Sequence, residues 1–227
     1  MTSTDNTHDL PRTDAARQGP GRDDRGTVFA VLADPRCRTV VRHLAKAGSR
    51  TVTVDDLAAG LAAADDSLDA DRATTLLHHS VLPRLADVGY ADRDVDRGTV
   101  RYEADDLLER SLAAVDEIDA ADLAVSAGTL LDVLADERRR CALRTLLTHR
   151  ELTLPDLADE VAVEERGKPL SEIDPETVLG IYLSLYHTHV PRLTDADLAA
   201  YEQEHDLVAA TESGEALATR IETLCEL

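Results

Sequence analysis

"VLADPRCRT" occupies residues 31–39 and "VLADERRRC" occupies residues 133–141. The phrases align at an offset of 102: Val31, Leu32, Ala33 and Asp34 match Val133, Leu134, Ala135 and Asp136, and Arg36, Arg38 and Arg42 match Arg138, Arg140 and Arg144. Two more blocks follow in the same order. "TVDDLAAGLA" (53–62) aligns with "TLPDLADEVA" (153–162) at an offset of 100, and "HHSVLPRL" (78–85) aligns with "YHTHVPRL" (186–193) at 108. Three blocks in order with drifting offsets describe an internal duplication with small insertions, the largest around "EERGKPLSEID" (164–174). Each copy is roughly ninety residues, within the range of a small domain. A duplicated module predicts two halves of one topology.

Local signals give the elements of each copy. Asp34 stands where an N-cap belongs, with Pro35 at the first helical position, so a helix runs over "PRCRTVVRHLAKA" to a cap at Gly48. Asp136 opens the matching helix "ERRRCALRTLLTH". The segment "TVFAVLAD" before the first of these is short and apolar-periodic. A short β-prone stretch precedes Val54, and the pairs Thr53/Asp56 and Thr153/Asp156 have capping-box spacing for a second helix. A third helix carries "RATTLLHHSVL" in one copy and "PETVLGIYLSLYHTHV" after Asp174 in the other. Pro83 and Pro191 lie at equivalent places and should kink or restart it, because proline lacks the backbone donor and crowds the preceding turn. "ADRDVDRGTVRYE" alternates and turns at Asp96-Arg97-Gly98, a hairpin signal; "LAAYEQEHDLVAATE" gives a weaker turn at the same place. A last helix closes each copy, so the order is helix, short strand, helix, helix, hairpin, helix.

Composition bounds the setting. The net charge is −21, from 45 acidic and 24 basic residues, and only two of the basic residues are lysines, Lys46 and Lys168. One phenylalanine and no tryptophan accompany this acidity. The pattern suits a salt-in halophile: at molar salt the Debye length is about 3 Å, so carboxylates on one surface no longer repel one another strongly. Cys37, Cys141 and Cys225 are few and far apart, which indicates neither a disulfide framework nor a zinc ribbon. No apolar run approaches the ~18 residues of a membrane span, and residues 1–26 lack the apolar core of a secretory signal. Residues 1–26 read as a disordered polar tail, 27–125 as one domain and 126–227 as the other, in a cytoplasmic protein.

The element order is that of a winged helix-turn-helix. "LADPRCRTVVRHL" resembles the opening helix of ArsR-like repressors, and "HHSVLPRLADVGY" resembles their recognition helix running into the wing. The proline departs from that pattern. "YLSLYHTHVPRL" preceded by "VLADERRRCALRTLL" is closer to a haloarchaeal winged-helix domain family of unknown function. The resemblance covers about 27–115 and 129–220. It implies a mainly α fold with small β-hairpins, arranged as two tandem winged helix-turn-helix domains, and a transcription regulator bound to double-stranded DNA.

In such a fold the third helix enters the major groove and the wing touches phosphates. The first copy then offers Arg72, Thr74, Thr75 and His78 on the helix and Arg93, Arg97 and Arg101 on the wing. Arginine suits both tasks, through bidentate contacts to guanine and to phosphate. The bland reading pairs the wing arginines with Asp92, Asp94 and Asp96. The second copy presents Tyr182, Tyr186 and His189, with Glu202, Glu204 and Asp206 at its wing. Acidic tips repel phosphate, so those residues are expected to face a protein partner or a homodimer. A charge of −21 also opposes a polyanion, although high salt removes most of the counterion-release term and screens the repulsion. The rival function is a winged-helix protein-interaction module without DNA. Most of the arginines of the first helices, Arg36, Arg38, Arg42, Arg138, Arg139, Arg140 and Arg144, are expected to pair with nearby carboxylates. His187 and His189 lack a third ligand close in sequence, so no metal, cofactor or enzymatic activity is expected.

Overall fold

The computed structural model describes residues 23–227 except 49, 104 and 122. The first unit runs α1 (Asp24–Ala33), α2 (Pro35–Ala47), β1 (Val52–Thr53), α3 (Val54–Ala64), α4 (Ala70–Leu76), α5 (Leu82–Asp87), β2 (Ala91–Asp94), β3 (Thr99–Tyr102) and α6 (Asp106–Asp119). The second runs α7 (Ala127–Leu134), α8 (Glu137–His149), β4 (Glu151–Thr153), α9 (Leu154–Arg166), α10 (Pro175–Ser184), α11 (Val190–Asp195), β5 (Ala199–Glu202), β6 (Leu207–Ala210), α12 (Glu212–Ala216) and α13 (Ala218–Glu226). The protein is mainly helical with two small antiparallel sheets, whose strand orders β1-β3-β2 and β4-β6-β5 are the same. The duplication is therefore visible in the topology.

Capping residues set the helix starts as the sequence indicates. The Asp34 carboxylate accepts from the Arg36 amide at 2.8 Å, and that of Asp136 accepts from the Arg139 amide at 3.0 Å. Thr53 and Thr153 accept from the amides of Asp56 and Asp156 while donating to their carboxylates at 2.7 Å, a side-chain variant of the capping box. Residues 24–26, expected in the tail, are instead the first turn of α1, capped by Asp23; residues 1–22 of that expectation lie outside the described residues. Neither proline breaks the third helix. The turns before them, Leu77–Val81 and Leu185–His189, widen by one residue, so that Leu82 and Val190 donate to the carbonyls of Leu77 and Leu185. A π-type turn gives the ring room that an ordinary turn denies it.

The hairpins turn alike by different means. Gly98 has φ 61° and Asp206, at the equivalent place, has φ 53°. Glycine takes this left-handed conformation freely, and aspartate is among the few side chains that tolerate it. In both units the carbonyl of that residue accepts from the first amide of the second helix, Val54 at 3.0 Å and Leu154 at 2.7 Å.

The apolar-periodic segments before the quoted phrases are helices, α1 and α7, and they join the units. α1 packs on α7 and α6 packs on α13. A Cβ on Gly26 would stand 2.5 Å from the Ala135 carbonyl oxygen, and one on Gly128 would stand 3.0 Å from that of Ala33. Gly26 and Gly128 are 102 residues apart, so each helix lays its first turn on the other's C-terminal end. This is the reciprocal contact of a two-fold dimer made within one chain. Buried side chains, from Val28 and Phe29 through Leu134 to Leu224, consequently form one continuous core across both units instead of two separate ones.

Buried arginines complete the joint. Arg38 and Arg140 are both 8 % exposed, and each donates back to the last turn of the helix before it, to Leu32 O at 2.7 Å and Leu134 O at 2.6 Å. Arg140 also reaches into the other unit, 2.6 Å from the Asp23 carboxylate that caps α1. All seven arginines expected to pair on α2 and α8 have acidic partners.

Candidate functional site

The third helix of the first unit buries Ala73, Leu77 and Val81 and turns Arg72, Thr75, His78 and His79 to solvent, with Thr74 half-buried. The helix starts there because Asp69 accepts from the Arg72 amide at 2.8 Å. The hydroxyls of Thr74 and Thr75 donate to Ala70 O and Asp71 O at 2.8 and 2.9 Å, so towards a ligand they are left as acceptors. Arg72 is 3.7 Å from Asp69, an exposed pair.

The hairpin register separates the three arginines. Arg93 stands opposite Val100, on the face that carries the buried Ala91 and Tyr102; Arg101 stands opposite Asp92, on the outer face. The three therefore do not form one row. Arg101 lies 3.0 Å from Asp92 and 2.9 Å from Glu103, and Arg97 at the turn lies 3.5 Å from Asp94. All three contacts are solvated, and such pairs contribute only ~0–1 kcal/mol each, so a phosphate can displace them at little cost. Arg93 has no acidic partner among the described residues.

The second unit replaces this seam residue by residue. At the offset of 108, Thr74, His78 and Arg93 become Tyr182, Tyr186 and Tyr201, and Gly98 becomes Asp206. Tyr182 and Tyr186 stack with centroids 6.4 Å apart, and Tyr186 meets Tyr201 edge-on at 6.1 Å. The Tyr201 hydroxyl donates to Asp206 at 2.6 Å, which raises its pKa, and the Tyr182 hydroxyl donates to the other carboxylate oxygen at 3.5 Å. The aromatic cluster thus ties the third helix to the hairpin and pins the strained turn. Equivalence of the two units puts Thr74, His78 and Arg93, all polar, at the matching seam of the first.

Tyr182 and Tyr186 are half-buried, each partly covered by contacts within its own unit. One sequence expectation changes here. His189 is 7 % exposed, its Nδ1 is 3.5 Å from the Asp136 carboxylate, and burial lowers its pKa, so it is a neutral packing residue. Tyr201 escaped the sequence reading as a site residue, although its offset from Arg93 was there to find it, and Asp206, read from sequence as an acidic tip, accepts from two tyrosine hydroxyls.

Other chemistry is sparse. Cys37 and Cys141 are buried and Cys225 partly so; burial pushes the Cys37 thiol up to about 11 and raises the other two. Among the described residues no group of three or more His, Cys, Asp or Glu is placed to hold a metal, and no helix is long and apolar enough to cross a membrane.

Comparison with known families matches a domain of unknown function, DUF7344, twice, at residues 29–101 and 131–209. The matches cover more than half of the chain, which therefore belongs to that family and carries two copies of its domain. No curated protein and no solved structure matches.

Proposed function

We propose that each DUF7344 copy in this chain is a winged helix-turn-helix, and that the chain is a DNA-binding transcription regulator of a halophilic archaeon. In this reading the first unit reads the DNA and the second serves as its covalently attached dimer partner. The observation that carries it is the solvent face of the third helix in the first unit. Arg72, Thr75, His78 and His79 are exposed there, a set of basic and hydrogen-bonding side chains along one helix face. On the hairpin, Arg97 and Arg101 are held only by exchangeable surface pairs. The helix supplies base-edge contacts and the hairpin supplies phosphate contacts. The reciprocal packing of α1 on α7 supports the internal-dimer part.

The neighbouring carboxylates Asp69, Asp71, Asp92 and Asp94 oppose DNA in dilute buffer. At molar salt that repulsion is screened over about 3 Å, and affinity rests on direct hydrogen bonds and shape. The same physics makes the fold salt-dependent: the melting temperature rises between dilute buffer and molar KCl, and a flat curve would remove the halophilic part of the proposal.

The test is chromatin immunoprecipitation of a tagged copy in a high-salt host. Discrete genomic peaks that vanish in the triple variant Arg72→Ala, Arg97→Ala, Arg101→Ala carry the proposal. A flat profile for the unaltered chain, or peaks indifferent to the variant, overturns it.

A further inference from the structure

The third helix of the second unit has an apolar outer surface that its own fold does not need. α9, the short turn Leu170–Glu172 and α10 enclose an open groove of ≈ 400 Å³ lined by Leu170, Ile173, Val178, Leu179 and Tyr182. Leu170, Leu179 and Leu183 are 40, 55 and 44 % exposed, an unusual state for three neighbouring leucines. Two of these leucines have polar counterparts in the first unit: at the offset of 108 it has Asp71 for Leu179 and Thr75 for Leu183. The wall that carries Leu170 and Ile173 belongs to the insertion at 164–174, which the first unit lacks. Both the extra wall and the apolar side chains are thus additions specific to the second copy.

The rim states the chemistry of the occupant. Asp159 is part of the lining, Glu172 sits between the two apolar residues of the added wall, and Glu176 follows Pro175 at the start of α10. Glu172 and Glu176 are exposed, and none of the three carboxylates has a basic partner among the described residues. A second copy of this chain would bring its own acidic rim against this one. We propose that the groove docks a basic amphipathic helix of a partner protein, with aliphatic side chains at i, i+3/i+4 and i+7 seated on Leu170, Val178 and Leu179 in the groove and on Leu183 one turn further along α10, and lysines or arginines towards Asp159 in the lining and the nearby Glu172 and Glu176. The volume holds roughly two or three aliphatic side chains, the number that such a stripe presents. Solvent-exposed carboxylates give orientation and partner choice, and the leucines give the binding energy. This site is separate from the first unit's face and stands or falls without DNA.

The experiment titrates the full chain into a fluorescent 18-residue helical peptide with a leucine stripe and lysine flanks. Anisotropy is followed at the lowest KCl concentration that keeps the protein folded. Saturable binding is expected, at least tenfold tighter than to the same peptide with glutamate flanks. The variant Leu179→Asp, Leu183→Thr carries the first unit's residues and so keeps its melting temperature, yet loses tenfold or more in affinity. The variant Asp159→Lys, Glu172→Lys reverses the preference between the two peptides. Absence of saturable binding, equal binding by the leucine variant, or indifference to flank charge each overturns the proposal. So does a gel-filtration dimer of the unaltered chain that the leucine variant dissolves, since the occupant would then be a second copy.

Discussion

The two units are built on one topology and differ most at the seam between third helix and hairpin. In the second unit that seam is filled by Tyr182, Tyr186 and Tyr201 and locked to Asp206. In the first, the matching places hold Thr74, His78 and Arg93, and the turn relies on Gly98. A glycine needs no help to hold a positive φ, whereas an aspartate at φ 53° is steadied by the hydroxyls around it. The first unit's seam therefore lacks the aromatic lock that the second carries.

Four comparisons, seven substitutions in all, break or sharpen that contrast, from the largest effect down. At the joint, Arg140→Ala leaves Leu134 O and the Asp23 carboxylate without their partner and costs about 3 kcal/mol in a denaturant titration. Arg38→Ala costs about 2 kcal/mol, because its carboxylate, Asp119, is 3.8 Å away and half-exposed. Equal losses would mean that the joint is energetically symmetric.

Next, Gly26→Ala drives a methyl into the Ala135 carbonyl and lowers stability by about 2 kcal/mol. Gly128→Ala meets its carbonyl at 3.0 Å and costs about 1 kcal/mol. If both were neutral, the reciprocal close approach of α1 and α7 would be wrong. Third, Tyr201→Phe removes the hydrogen bond to Asp206 and costs about 1 kcal/mol, while Arg93→Ala at the equivalent place stays within ~0.5 kcal/mol. A larger loss for Arg93→Ala would show that the first seam is structural as well.

The smallest effect concerns pH. His189 is buried with its pKa lowered mainly by desolvation, whereas the first unit has Val81 at that place. The unfolded chain takes up a proton below pH 6.5 that the folded chain resists, so stability is full above that value and declines as pH falls from 7 towards 5.5. His189→Val flattens this dependence over the same interval. An unchanged slope would show that His189 has no part in it.

Much of the fold was legible in the chain. Asp34, Asp136, Asp174, Thr53 and Thr153 marked helix starts because an N-cap is a local hydrogen bond between neighbours in sequence. The repeat itself, the hairpins and the pairing of the first-helix arginines were legible for similar reasons. The contacts that Tyr182 and Tyr186 make with the hairpin, and the burial of His189, were not. Whether a helix face meets a hairpin or water depends on a register set some twenty residues away, and tyrosine is compatible with either.

By itself, then, the sequence determined a duplicated, mainly helical module with small sheets, an acidic surface and an asymmetry between its copies, since all of these depend on composition or on contacts within a few residues. The tertiary structure alone decided three things: that α1 and α7 fuse the copies into one core through reciprocal glycines, that Arg93 and Arg101 lie on opposite faces of their hairpin, and that three leucines of the second copy stay outside. Each depends on which surfaces meet after folding, and burial is a property of the whole packing, not of any segment within it.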